Sequence, residues 1–206
     1  GFIGHNFVKR FALKEKIRVF GKEKKYQLEE KNIEFLEGDF RYADFDSLLE
    51  GVDSVFHFIS SIVPFDGTDG IIEDIEMDLI PTIKLLESMK QKKVKKIFFV
   101  SSGGTIYGEC KTPANENSKL MPECVYALQK ISIENYLHLY EKYDGIQCYI
   151  LRISNPYGLE VNVKRKQGII PIFTQKIFNR EHVEIWGNGD NRRDYIYIDE
   201  VIDAIE

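Results

Sequence analysis

Apolar positions along the chain follow two alternating rhythms. Phe7, Val8, Phe11 and Ala12 recur at helical spacing and predict an amphipathic helix near the N-terminus. Short β-branched and aromatic runs at Ile17 to Phe20, Ile33 to Leu36, Val55 to Ile59, Lys96 to Val100 and Cys148 to Ile153 are the predicted strands. Between the third and fourth of these, Ile75, Leu79, Ile83 and Leu86 share one helical face, which Pro81 should kink or shift to a new start. A later helix is predicted to carry Leu128, Tyr136, Leu137 and Tyr140 as its apolar stripe. Strands alternating with helices in this way imply an α/β fold, a parallel sheet covered by helices.

From about Val161 the texture changes. A basic loop precedes a helix from Ile169 to Phe178 and a strand from Val183 to Trp186, with Val183, Ile185 and Trp186 serving the core. The turn Gly187-Asn188-Gly189-Asp190 leads to a strand near Tyr195 to Ile198, and Asp199 reads as the N-cap of a last helix. This part is expected to begin a smaller elaboration on the sheet, which divides the chain into residues 1–160 and 161–206.

The 206 residues are 43% hydrophobic and 30% charged with a formal net charge of −5, a balance that excludes collagen, low-complexity disorder and a disulfide scaffold. No apolar run approaches the ~20 residues that span a bilayer, so no membrane partner is expected. The mild acidity argues against nucleic acid as the main partner. The only basic run, Lys90 to Lys96, sits at a helix end, where solvation and the helix dipole account for it. Cys110, Cys124 and Cys148 are odd in number and lack metal-ligand spacing, so reduced thiols, no metal and a cytoplasmic location are expected.

Gly1-Phe2-Ile3-Gly4 puts glycines three apart directly before the first helix. That pattern suits the second half of a phosphate-binding loop, and equally a simple helix-entry turn. Tyr126 and Lys130, four apart at a helix start, share one face, and a nearby ammonium is expected to lower the tyrosine pKa toward the range of a general base. Ser101-Ser102-Gly103-Gly104-Thr105-Ile106-Tyr107-Gly108 follows an apolar strand and so places hydroxyls at the edge where open α/β sheets bind ligands. His57, inside an apolar strand, reads as packed rather than catalytic.

In these segments the chain resembles the extended short-chain dehydrogenases that act on nucleotide sugars, the NAD-dependent epimerase/dehydratase family, and within it the UDP-glucose 4-epimerase branch. Gly1 to Gly4 resembles the end of the GGxGFIG loop, Gly38-Asp39 the adenine-side GD pair, and Phe56 to Ser60 the strand ending in HLAA. Ser101 to Gly108 is similar to SSxxxVYG, Tyr126 to Lys130 to YxxxK, Leu151 to Gly158 to LRxxNxYG, and Arg193 to Asp199 to RDYIxVxD. The resemblance implies a Rossmann-like, doubly wound parallel sheet, truncated at both ends, with the start of a small substrate-binding domain.

It further implies that Tyr126 takes the proton of a sugar hydroxyl and that Lys130 holds the nicotinamide ribose. Gly1, Phe2, Ile3, Gly4, Asp39, Phe40, Phe58, Ile59, Ser60 and Ser101 would line the cofactor, and Asn155 and Arg193 the nucleotide diphosphate of a UDP-sugar. Arg193 could instead pair with Asp194 or Asp190. The family's small hydroxyl residue is replaced by Gly103, leaving Ser102 as the expected hydroxyl with Thr105 as the alternative. Gly104 and Thr105 stand where the sugar 4,6-dehydratases carry Asp and Glu, and Thr105 where the fucose-type epimerase/reductases use Cys, so C4 epimerisation is the simplest chemistry left. Gly21 occupies the place of the acid that binds a ribose 2′-OH, with lysines nearby, so NAD is expected and NADP stays open. Asp78 stands where similar enzymes carry Asn, a departure bearing on the cofactor or on helix packing. A homodimer through the YxxxK helix and the helix before it is implied as well. The competing expectations are an NADP-dependent carbonyl reductase of the same superfamily, or an inactive fragment or nucleotide-binding relic. Under the epimerase reading too, with part of the pyrophosphate loop missing, the 206-residue piece by itself is expected to be inactive or unstable.

Overall fold

A computed structural model describes residues 1–23, 31–62, 64, 67–110, 113–158, 168–185 and 187–206. In chain order its elements are α1 (Phe2–Phe11), β1 (Ile17–Gly21), β2 (Ile33–Glu37), α2 (Phe45–Leu48), β3 (Ser54–His57), α3 (Ile71–Asp74), α4 (Ile80–Lys92), β4 (Lys96–Ser102), α5 (Val125–Asp144), β5 (Gln147–Ile153), β6 (Asn155–Tyr157), α6 (Ile169–Phe178), β7 (Tyr195–Tyr197) and α7 (Ile198–Asp203). A short 3₁₀ turn, Phe40–Tyr42, precedes α2, and a π-turn, Ile75–Leu79, joins α3 to α4.

All strand pairs are parallel, and among the described residues they form three ladders: β1 with β2, β3 with β4 and β5, and β6 with β7. Helices cover both faces. On one side Leu86 and Met89 of α4 and Leu137 of α5 pack on Ile97 and Phe99 of β4. On the other, Phe7 and Val8 of α1 meet Ile198, Val201 and Ile202 of α7. Phe56, Phe98 and Tyr149 stand opposite one another in register, their rings stacked at 4.6 and 4.5 Å, and Phe7 extends this row from α1 at 4.4 Å. Aromatic contacts at such spacing add about 0.5–1.5 kcal/mol each beyond the area they bury. This is the helix-covered parallel sheet expected from the alternation of strands and helices, in the doubly wound form that the family resemblance implies.

The kink expected from Pro81 takes a definite form. Proline has no N–H for the helical ladder, and just before it the Ile80 N–H reaches back to the Ile75 carbonyl, closing the wider π-turn before α4 starts with Pro81 in its first turn.

Several expectations are corrected. The third strand ends at His57 rather than Ile59. The stripe proposed for α5 is only half right, since Leu137 and Tyr140 are buried whereas Leu128 is 55% and Tyr136 37% exposed. The buried face runs instead through Ala127, Lys130, Ile133 and Glu134, because α5 lies on β4 with that side down. Residues 183–185 form no strand, and Ile185 is exposed rather than in the core. Trp186 and the basic loop after Val161 lie outside the described residues. α7 is capped by Tyr197, whose N–H donates to the Glu200 carboxylate at 3.3 Å, so Asp199 sits in the first turn and is not the cap.

Candidate active site

β4 ends in Ser101 and Ser102, and the chain turns tightly before returning to start α5 at Val125. Four-residue spacing then lays Tyr126, Lys130 and Glu134 on successive turns of one helix face. Lys130 is buried; its Nζ donates to the Val100 carbonyl at 3.0 Å and lies 4.8 Å from the Phe99 ring centroid and 5.5 Å from that of Tyr126. Thr105 donates its hydroxyl to Ser102 Oγ at 2.9 Å. The structure thus brings Tyr126, Lys130, Ser102 and Thr105 together at the carboxyl end of β4.

Electrostatically the pair differs from the expectation. Burial pushes the Tyr126 phenol above its ordinary pKa, and the neighbouring Ser102 hydroxyl pulls it part of the way back. Burial outweighs the pull of the Lys130 ammonium, which lies over the ring at 5.5 Å and is aimed at a strand carbonyl. Lys130 itself is pushed down to about 8 by burial, with Asp78 and Glu134 opposing that fall.

Glu134 was not anticipated from the sequence. Its carboxylate accepts from Arg152 Nη2 at 2.6 Å and Nε at 3.2 Å, and from the Ser101 hydroxyl. Arg152 Nη1 continues to the Tyr107 hydroxyl at 3.0 Å and the Glu116 carbonyl at 3.1 Å. The cluster ties α5, β4, β5 and the loop after β4 into one unit. Its signal was the spacing of Tyr126, Lys130 and Glu134; its partner Arg152 lies on another strand. Ser101 is turned into this cluster and away from Ser102's companions.

Gly103 has a steric reason to be glycine. Its N–H donates to the Ile153 carbonyl at 2.6 Å, and a Cβ would stand 2.7 Å from the Arg152 carbonyl oxygen. The strand end is pressed too close to β5 for a side chain, so any hydroxyl here must come from Ser102 or Thr105.

Asp78, the departure noted in the sequence, is buried on the π-turn. Both of its carboxylate oxygens accept from the Ser61 N–H, at 3.0 and 2.8 Å, with Ser60 Oγ at 3.4 Å. Its carbonyl accepts the Thr82 hydroxyl, which also bonds the buried His57 ring at 2.9 Å. His57 is thus packed, as expected, and burial pushes its pKa down to about 3.

Toward the N-terminus, α1 starts at Gly1 with no side-chain cap and no acid in its first turn, an end that suits a bound phosphate. A Cβ on Gly4 would stand 3.3 Å from the Phe58 ring, so glycine lets α1 sit low on the end of β3. Phe2 and Ile3 are half-buried beside that contact. Phe40 and Ile59 turn their side chains into the core. Asp39 caps the 3₁₀ turn and is gripped by Arg41 at 3.0 and 2.8 Å and by Lys22 at 3.3 Å; chiefly the Arg41 hydrogen bonds hold its carboxyl well below the usual range. Gly1, Gly4 and Asp39 are thus the residues of this region that could hold a dinucleotide, whereas the side chains of Phe40 and Ile59, expected to line it, are taken up by the core. Asn155 and Arg193 lie further along, both exposed: Asn155 donates to the Asp194 carbonyl at 2.8 Å, and Arg193 to the Arg192 carbonyl at 2.8 Å. Among the described residues Arg193 forms no ion pair with Asp190 or Asp194.

A parallel sheet with a glycine-led first helix, a Tyr/Lys pair and a hydroxyl at the end of β4 is accompanied by a family-level match. The profile of the NAD dependent epimerase/dehydratase family matches residues 1–206. The chain belongs to this family. It is 36% identical over 153 residues to the dTDP-4-dehydro-6-deoxyglucose reductase of Escherichia coli, covering 74% of this chain and 48% of that one. A UDP-glucose 4-epimerase of Thermotoga maritima, solved with UDP-glucose, superposes with a TM-score of 0.91 at 28% identity, covering 99% of this chain and 69% of that one. The Thermus thermophilus UDP-glucose 4-epimerase, solved as a complex with NAD, gives a TM-score of 0.88 at 27% identity, over 100% of this chain and 70% of that one. The chain spans about half the length of the curated relatives it matches.

Proposed function

We propose that the protein is a nucleotide-sugar 4-epimerase that interconverts C4 epimers of a UDP-hexose with tightly bound NAD. The reading rests on one observation above all: Tyr126, Lys130 and the Ser102 hydroxyl converge at the carboxyl end of β4. NAD, when bound, supplies the acceptor and then the donor of one hydride. Tyr126 removes the C4 hydroxyl proton as the 4-keto sugar forms and returns it on reduction. Ser102, oriented by Thr105, hydrogen-bonds the reacting oxygen. Lys130 would hold the nicotinamide ribose when NAD is bound, and through its bond to the Val100 carbonyl it fixes the helix turn that carries the tyrosine. Asn155 and Arg193 hold the diphosphate, the Arg fork matching paired phosphate oxygens. With Gly104 and Thr105 at the positions of an elimination acid and base, the chemistry stops at oxidation and re-reduction.

The identity to the E. coli reductase favours a second reading, net reduction of a 4-keto nucleotide sugar or another carbonyl by a reduced nicotinamide cofactor. The two part in one assay. The protein supplied with UDP-glucose should form UDP-galactose without consuming added NADH or NADPH, and Tyr126→Phe should lower the rate by roughly 10²–10⁴-fold. Stoichiometric loss of the reduced cofactor would instead establish the reductase. No conversion of any UDP-hexose or UDP-N-acetylhexosamine, with Tyr126→Phe indistinguishable from the parent, removes the epimerase reading.

A further inference from the structure

Lys130 is a buried ammonium with two buried carboxylates around it, and only one of them is already neutralised. The ionisable groups about it are Tyr126 and Glu134 on its own helix, His57 on β3, Asp78 on the π-turn, and Arg152 on β5 behind Glu134. His57 stays neutral, because burial lowers its pKa to about 3. Glu134 is engaged by the Arg152 guanidinium in a two-pronged ion pair, so its charge is largely answered. Asp78 differs. Its partners are the Ser61 N–H and the Ser60 hydroxyl, and among the described residues no cationic side chain lies within ion-pair distance of it. Asp74 and Glu73 on α3 add further negative charge on that side, and Arg41 of the 3₁₀ turn lies toward Glu73. The π-turn that carries this carboxylate packs directly against α5, the helix that carries the ammonium.

We propose that Asp78 is the counter-charge of Lys130, a positioning residue presented by the π-turn that keeps the buried ammonium charged and seated against the Val100 carbonyl. The buried Asp78 carboxylate is held by dipoles alone and the buried Lys130 ammonium by one carbonyl and an aromatic face, so neither has a full counter-charge in contact, and bringing their charges together stabilises both. The same carboxylate repels the Tyr126 phenolate, and it enters the balance of both groups with a raising effect. The π-turn supplies the placement: its extra residue rotates position 78 relative to an unbroken helix, and the Thr82 hydroxyl holds its backbone carbonyl at 2.6 Å. The functional weight of this pairing rests on the epimerase reading, but the pairing itself does not.

The test therefore reads Lys130 directly. In the protein labelled for lysine side-chain NMR, with the Lys130 signal assigned by its loss in Lys130→Arg, the parent should titrate near 8. Asp78→Asn keeps the contacts to Ser61 and Ser60 and removes the charge, and should lower that midpoint by roughly one pH unit. Asp78→Ser carries the same expectation should the amide not fold, and Asp78→Glu should return the midpoint toward the parent value. If the epimerase assay is positive, both limbs of its pH profile should also slide to lower pH in Asp78→Asn, since Tyr126 and Lys130 each lose a raising charge. A purely structural residue would depress the rate without moving the limbs. An unmoved Lys130 midpoint in a folded neutral variant, or a Glu variant that lowers it as far as Asn or Ser, overturns the proposal. Absence of conversion in the parent counts against the epimerase reading alone.

Discussion

At Gly103 the backbone of β4 runs so close to β5 that a Cβ would stand 2.7 Å from one carbonyl oxygen and 3.2 Å from the next. The family resemblance makes this glycine look like a lost catalytic hydroxyl, whereas packing makes it a requirement. Gly103→Ser should therefore lower stability by about 1–3 kcal/mol, read as a lower urea midpoint, and should give no gain in conversion. Equal stability with a raised rate would show that the strand end can yield and that the hydroxyl belongs there. Ser102 and Tyr126 were legible from the sequence because their meaning lies in local spacing. The reason for Gly103 was not, since the atoms that forbid a side chain belong to residues some fifty positions later in the chain. The direction of the Tyr126 shift was misread for a related reason: a sequence shows that an ammonium is one turn away but not how deeply the phenol is buried.

α5 works as a ruler. Tyr126, Lys130 and Glu134 mark three turns along one line, and the last of these anchors the helix to β4 through Ser101 and to β5 through Arg152. Glu134→Gln leaves the Arg152 guanidinium, 20% exposed, facing a neutral amide, and should cost about 3 kcal/mol of stability by chemical denaturation. Adding Arg152→Met should recover part of that loss, because the larger share of it is the penalty of a stranded charge; a double variant no more stable than Glu134→Gln would refute this account. The helix itself was readable from its periodicity, yet the apolar stripe was placed on a partly wrong face. Leu128 and Tyr136 look like core residues by type. The face that packs on the sheet also holds Lys130 and Glu134, whose charges a hydropathy count takes for a solvent side.

Over the whole molecule, the buried His57 links folding to pH. Its pKa falls from an ordinary 6.5 to about 3 on folding, through burial first and the Lys130 charge second. The unfolded chain therefore binds a proton below pH 6.5 that the folded chain refuses until about pH 3, so the stability present above pH 6.5 is lost as pH falls through this window. Between pH 7 and pH 5 the loss from this one residue should be about 2 kcal/mol. Urea melts at the two pH values should show it, and His57→Asn should flatten the difference; an equal difference in the variant would assign the slope to other groups. The order of strands and helices, the glycine-led first turn, the Tyr/Lys spacing and the membership of the family were all determined by the sequence, because each depends on residues close together in the chain or on their order along it. Why Gly103 has no side chain, which carboxylates flank the lysine and which face of α5 is buried were decided only by tertiary structure. Those outcomes depend on distances between strands and helices far apart in the chain, and on the burial that sets the strength of each charge.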